Sequence, residues 1–148
     1  MKKIFAVFDT NVLVSAMLNQ NSNPGYLVSA VTEGKIIPVL NDEIIAEYDD
    51  VLYRKKFSFP EANINKLLDG FNKNGVFYDA AEINEDMPDP KDIIFFAVTM
   101  EVRKYEEAYL ITGNNKHFPV KPFVVTPREM LEILHNLEIE QAKNEADS

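Results

Sequence analysis

Five short apolar runs punctuate the chain, at residues 3–8, 36–40, 75–78, 108–112 and 123–126, and the segments between them repeat apolar residues at helical spacing. A strand with one wet face alternates apolar and polar side chains, whereas a strand covered on both faces reads as an unbroken apolar run. The pattern therefore predicts a parallel sheet flanked by helices on both sides, a three-layer α/β/α sandwich. Within it, IFAVFDTNVLVSAML (4–18) is apolar except for Asp9, Thr10 and Asn11 near its middle and Ser15 further on. Strand, turn and helix follow one another directly there, with a carboxylate at the turn.

The helices show themselves by their ends. Pro24 fits the first position of a helix reaching about residue 32, with Gly34 beyond it as a stop. Asn41 suits an N-cap, Asp42 and Glu43 suit the positive end of a helix, and Ile44, Ile45, Tyr48, Val51 and Leu52 recur at helical spacing to about residue 53. Further helices are expected at 60–72, after Asp89 in DPKDIIFFAVTMEVRKY, and from Pro127 through Leu134. The helix after Asp89 is apolar around most of its circumference, which predicts deep burial, and the acidic stretch 79–89 reads as a loop. One domain, residues 1–137, accounts for the pattern, and the polar tail 138–148 is expected to fray.

Composition narrows the chemistry. The chain has no cysteine, which excludes disulfides, thiolate zinc sites and a cysteine nucleophile, and is compatible with the cytoplasm. The opening MKKIFAVF imitates a secretory signal, but its apolar stretch ends at Asp9 and no small-residue cleavage site follows, so it reads as a buried strand. No segment approaches the roughly 18 uninterrupted apolar residues of a membrane helix, and a soluble protein is expected. Fifteen Lys plus Arg against 24 Asp plus Glu give a net charge of −9, the wrong sign for a broad nucleic-acid-binding face. If RNA or DNA is a substrate, its binding must rest on a local basic patch, a cation or a partner. The run Arg54, Lys55, Lys56 is such a patch, although basic residues after an acidic helix also serve as a solvated surface or answer the helix C-terminus.

Functional groups of an open parallel sheet gather at the carboxyl ends of its strands, near the point where strand order reverses. Asp9 ends the first strand, and Thr112 to Asn114 follow the fourth. Glu47 and Asp49 lie at opposite rims of their helix, and periodicity does not choose between them. Asp92 falls in the first turn of the buried helix, where favourable charge at the helix N-terminus already accounts for it. Carboxylates from separated segments, without a thiol or a spaced histidine pair, favour a hard cation such as Mg²⁺ or Mn²⁺. Such an ion can activate water and offset phosphodiester charge, the chemistry of a hydrolytic nuclease.

The order FDTNVLVSAM, EIIAEYDDVL, DPKDIIFFAV, YLITGNNKHFP and VVTP resembles the PIN-domain family, in particular its branch of bacterial toxin-antitoxin toxins, over roughly residues 3 to 134. The resemblance implies an α/β/α sandwich, a metal-dependent ribonuclease, an antitoxin partner and a dimer. By position, Asp9 matches the family's first metal-binding acid, Glu47 the second and Asp92 the third, with Asn11 supporting the first and Thr112 near the fourth. The fourth acidic position is Asn114 here, which removes a negative charge, so the site is expected to hold one cation firmly and a second only with substrate. Asn114 also suits an N-cap for the turn that follows. Three rivals remain: an inactive scaffold binding RNA or protein, a receiver-type signalling domain, and a haloacid-dehalogenase phosphatase. The last would need a second Asp where the chain has Asn11.

Overall fold

The structure is a computed structural model and describes residues 2–147. Five parallel strands, β1 (Phe5–Phe8), β2 (Ile37–Leu40), β3 (Val76–Phe77), β4 (Ala108–Ile111) and β5 (Val124–Val125), form one sheet in the order β3-β2-β1-β4-β5. β1 is central, with Phe5 beside Ile37 on one flank and beside Ala108 on the other. All four of its side chains are buried, as the unbroken run requires.

The helices are α1 (Thr10–Leu18), α2 (Asn23–Thr32), α3 (Asp42–Leu52), α4 (Glu61–Asn74), α5 (Ile93–Val102) and α6 (Pro127–Ala146). α2 packs against α1, α4 and α6, whereas α5 lies along β1, β2 and β4, so the sheet is covered on both faces. That is the expected three-layer sandwich. α3 bridges the layers: the Tyr48 ring meets Phe71 of α4 edge-on and stacks with Phe95 of α5. The order 3-2-1-4-5 also removes the receiver-type rival, whose sheet runs 2-1-3-4-5.

Local chemistry sets the ends of these elements. The Asn41 side chain accepts from the Ile44 N–H at 2.9 Å, and Gly34, placed past the end of α2 by the sequence, has φ +78°. Two expectations need correction. The helix after Asp89 does not start there: Asp89 accepts from the Lys91 N–H and opens a 3₁₀ turn, Pro90–Asp92, so Asp92 is the N-cap of α5 rather than part of its first turn. The last helix, expected from Pro127 through Leu134, runs on to Ala146. Its Glu, Gln, Lys and Ala are good helix formers, a Thr126–Glu129 capping box starts the helix, and Lys35 pairs with Glu138 at 3.1 Å.

Candidate active site

In the strand order 3-2-1-4-5 the chain adds strands leftward from β1 and then returns to place β4 on its right. The crevice beyond the carboxyl ends of β1 and β4 is therefore the topological switch point, where open α/β sheets bind ligands. Asp9 and Thr112 are the residues immediately after those two strands. Backbone bonds continue the sheet just past them, Asp9 N–H to the Ile111 carbonyl and Thr112 N–H to the Val125 carbonyl, both at 2.9 Å.

Asp9 is 6% exposed, and its Oδ2 accepts from Thr112 Oγ1 at 2.7 Å and Asn11 Nδ2 at 3.2 Å. Asn11 in turn accepts the Gly113 N–H on its Oδ1 at 3.2 Å, while Thr112 Oγ1 accepts the Asn114 N–H at 3.0 Å. The turn after β1 is thus fastened to the turn after β4 by interlocking side chains. Asp9 occupies the N-cap position of α1 without a capping bond from its side chain, so the carboxylate is not spent on holding the helix end. Burial raises its pKa from 3.8 to about 6; the charge of Asp92 adds to the rise, and the Thr112 hydrogen bond, the Thr10 N–H and His117 oppose it. The neighbouring Thr10 hydroxyl is buried with no hydrogen-bond partner among the described residues.

Asp92, half-buried at the start of α5, lies with its Oδ2 3.5 Å from Nδ1 of His117. Burial and the charge of Asp89 raise its pKa, and His117 counters them. Asn114 is exposed and heads the 3₁₀ turn Asn115–His117, but its side chain makes no capping bond. The turn instead brings His117 back over the site, a role that its distance from His135 did not suggest. Glu47 is half-buried and lines a cleft with Glu43, Ala81, Pro90, Lys91 and Ile94, while Asp49 is exposed. The next residue after Glu47, Tyr48, is fully buried and donates its Oη to the Phe8 carbonyl at 2.6 Å, tying α3 to the end of β1. Arg54, Lys55 and Lys56 lie beyond α3 on the exposed connection to α4.

The structure thus joins Asp9, Asn11, Thr112 and the Asn114 backbone, and sets Asp92 and His117 beside them. Among the described residues no three acidic or histidine side chains close into a metal-holding cluster. The donor chemistry still suits a hard cation: two carboxylates have raised pKa values, which a bound cation would reverse, and Oδ1 of Asp9 has no side-chain partner among the described residues.

A family model described as PIN domain matches residues 6–116, from the second residue of β1 to the turn that carries His117. The chain belongs to the PIN domain family. PIN domains are in general nucleases, hydrolases of phosphodiester bonds that typically use divalent metal ions and act on RNA. The chain is also 28% identical to an uncharacterized protein of Methanocaldococcus jannaschii, over 88% of this chain and 91% of that protein. No solved structure matches it significantly. No helix among the described residues of this PIN domain is long and apolar enough to cross a membrane.

Proposed function

We propose that this PIN domain is an endoribonuclease that uses Mg²⁺ or Mn²⁺ to hydrolyse RNA phosphodiesters, and that it is the toxin of a toxin-antitoxin pair. The observation that carries the nuclease reading is Asp9: a carboxylate buried at the switch point, held by Thr112 and Asn11, facing Asp92, and committed to no cap or salt bridge. Asp9, Glu47 and Asp92 would hold the ion, which when bound offsets phosphate charge and lowers the pKa of water.

The chain's own groups supply position. Thr112 and Asn11 both take Oδ2 of Asp9, which fixes the carboxylate plane and leaves Oδ1 for a ligand. The neutral Asn114, attached through its backbone to Thr112, presents an amide where an acid would add charge and can orient water for in-line attack on phosphorus. The toxin assignment, a covering antitoxin and a dimeric state rest on the order of the five sequence motifs. The absence of a closed three-residue metal cluster among the described residues favours one alternative, a catalytically inactive scaffold that binds RNA or protein.

The test is cleavage of a labelled mixed-sequence single-stranded RNA in Mn²⁺, Mg²⁺ or EDTA, by the wild type and by Asp9→Asn. Cleavage that needs the metal and is lost in the variant supports the nuclease. RNA retained by both proteins without cleavage selects the scaffold. Growth arrest on expression, absent with Asp9→Asn, tests the toxin role.

A further inference from the structure

The connection between α3 and α4, Tyr53 to Pro60, has features that its linking role does not require. One 3₁₀ turn, Lys55–Phe57, ends at Ser58 in the left-handed region (φ 51°, ψ 33°), the single non-glycine residue with positive φ among the described residues. An L side chain adopts that conformation uncommonly, and here the Ser58 hydroxyl holds it by donating to the Lys55 carbonyl at 3.1 Å. The kink brings its two flanking rings face to face: Phe57 and Phe59 are nearly parallel, 6° apart, with centroids at 5.3 Å.

The two rings differ in duty. Phe59 packs against the hydrophobic core, whereas Phe57 is half-buried, lies outside that cluster, and is held from below by Phe59. Three exposed cations, Arg54, Lys55 and Lys56, directly precede Phe57 in the chain. The Lys56 ammonium lies over the Phe57 ring, 5.0 Å from the centroid, on a long exposed side chain that an incoming base would displace; Arg54 is tied to Asp50 at 2.9 Å, and neither Lys55 nor Lys56 has a carboxylate partner among the described residues. This is the longest run of consecutive basic residues in a chain of net charge −9.

We infer that residues 53–59 form a docking platform for single-stranded RNA, with Phe57 stacking on a base and Lys55, Lys56 and Arg54 engaging the flanking phosphates. Rings supported from beneath and rimmed by cations are how single strands are held without reading sequence. Three consecutive cations give a polyanion a local foothold on a chain of net charge −9. Arg54 lies two residues past the end of α3, the helix that carries Glu47. The inference rests on the nuclease reading for the identity of its ligand.

The experiment measures binding of a fluorescent twelve-nucleotide oligouridine carrying one 2-aminopurine to the full chain bearing Asp9→Asn, in Mg²⁺, alongside RNA cleavage by the wild type. Adding Phe57→Leu, which keeps an apolar side chain over Phe59, should weaken binding roughly 5- to 100-fold and abolish the stacking quench of 2-aminopurine. Adding Lys55→Gln with Lys56→Gln should reduce the slope of log affinity against log salt by about 1.4. This readout stands even if the Phe57 variant folds poorly. Cleavage by the wild type together with unchanged affinity, quench and salt slope in the variants would overturn the platform and leave the nuclease intact. RNA binding that depends on Phe57 without cleavage would keep the platform and sink the nuclease. Absence of both binding and cleavage would remove both, as would capture of an acidic peptide by the knuckle with no affinity for RNA remove the platform.

Discussion

Replacing Asp9 by Asn should abolish cleavage yet make the metal-free protein more stable. Asn keeps a carbonyl oxygen to accept from Thr112 Oγ1 but has no charge to bury. Each pKa unit corresponds to about 1.4 kcal/mol, so a rise from 3.8 to about 6 makes ionised Asp9 unfavourable by about 3 kcal/mol at neutral pH. The sign follows from proton uptake: the folded chain holds the proton more tightly than the unfolded one. The stability contributed by protonated Asp9 is therefore fully present below about pH 3.8 and is lost as pH rises through about 6. In EDTA, Asp9→Asn should match the wild type near pH 4, pull ahead between pH 4 and 6, and stay ahead above that. For a domain of this size 1 kcal/mol moves Tm by about 2–4 °C, so the gap should reach about 6–12 °C at pH 7.5. Mn²⁺ at ten times its Kd should raise the wild type alone by about 1.4 kcal/mol and narrow that gap. Thermal melts followed by circular dichroism read all of this. Equal Tm values in EDTA at pH 7.5, or a gap undiminished at pH 4, would refute burial as the source of the shift.

Other substitutions probe the same architecture. Asn11→Ala, which leaves Asp9 Oδ2 with Thr112 alone and the Gly113 N–H without its acceptor, should lower metal affinity or kcat/KM roughly 10- to 100-fold with the fold retained; an unchanged value would dismiss Asn11 as a positioning residue. Tyr48→Phe leaves the buried Phe8 carbonyl without its donor and should destabilise by about 1–3 kcal/mol in urea melts. Thr10→Val removes a buried hydroxyl that has no partner among the described residues, and should leave stability unchanged or slightly raised in the same melts. Asn114→Asp adds a negative charge beside Asp9 and should bring a second Mn²⁺ into calorimetric titrations of the substrate-free protein, where the parent takes one.

Sequence periodicity carried the sheet, because unbroken apolar runs leave a strand few environments, and the caps at Asn41 and Asp89 form as their side chains dictate. What it did not carry depends on contacts between distant segments. The choice of Glu47 over Asp49 was open on the helix wheel; in the fold one lines a cleft and the other is exposed, since Tyr48 fixes the rotation of α3 against β1. His117 had no role assigned from the sequence because its nearness to Asp92 requires both the 3₁₀ turn and the return of β4 to the far side of β1. The length of α6 escaped notice for the opposite reason: its last turns have helix propensity but little apolar periodicity to reveal them.

The bond between Thr112 and Asp9 joins residues 103 positions apart. Synthesis makes Asp9 well before its partner, which arrives 103 residues later. Until β4 inserts beside β1, the carboxylate has neither its Thr112 donor nor its crevice, and closing a loop of that length carries an entropic cost. A chain cut before β4 therefore lacks both the hydroxyl that holds Asp9 and one wall of the crevice it faces.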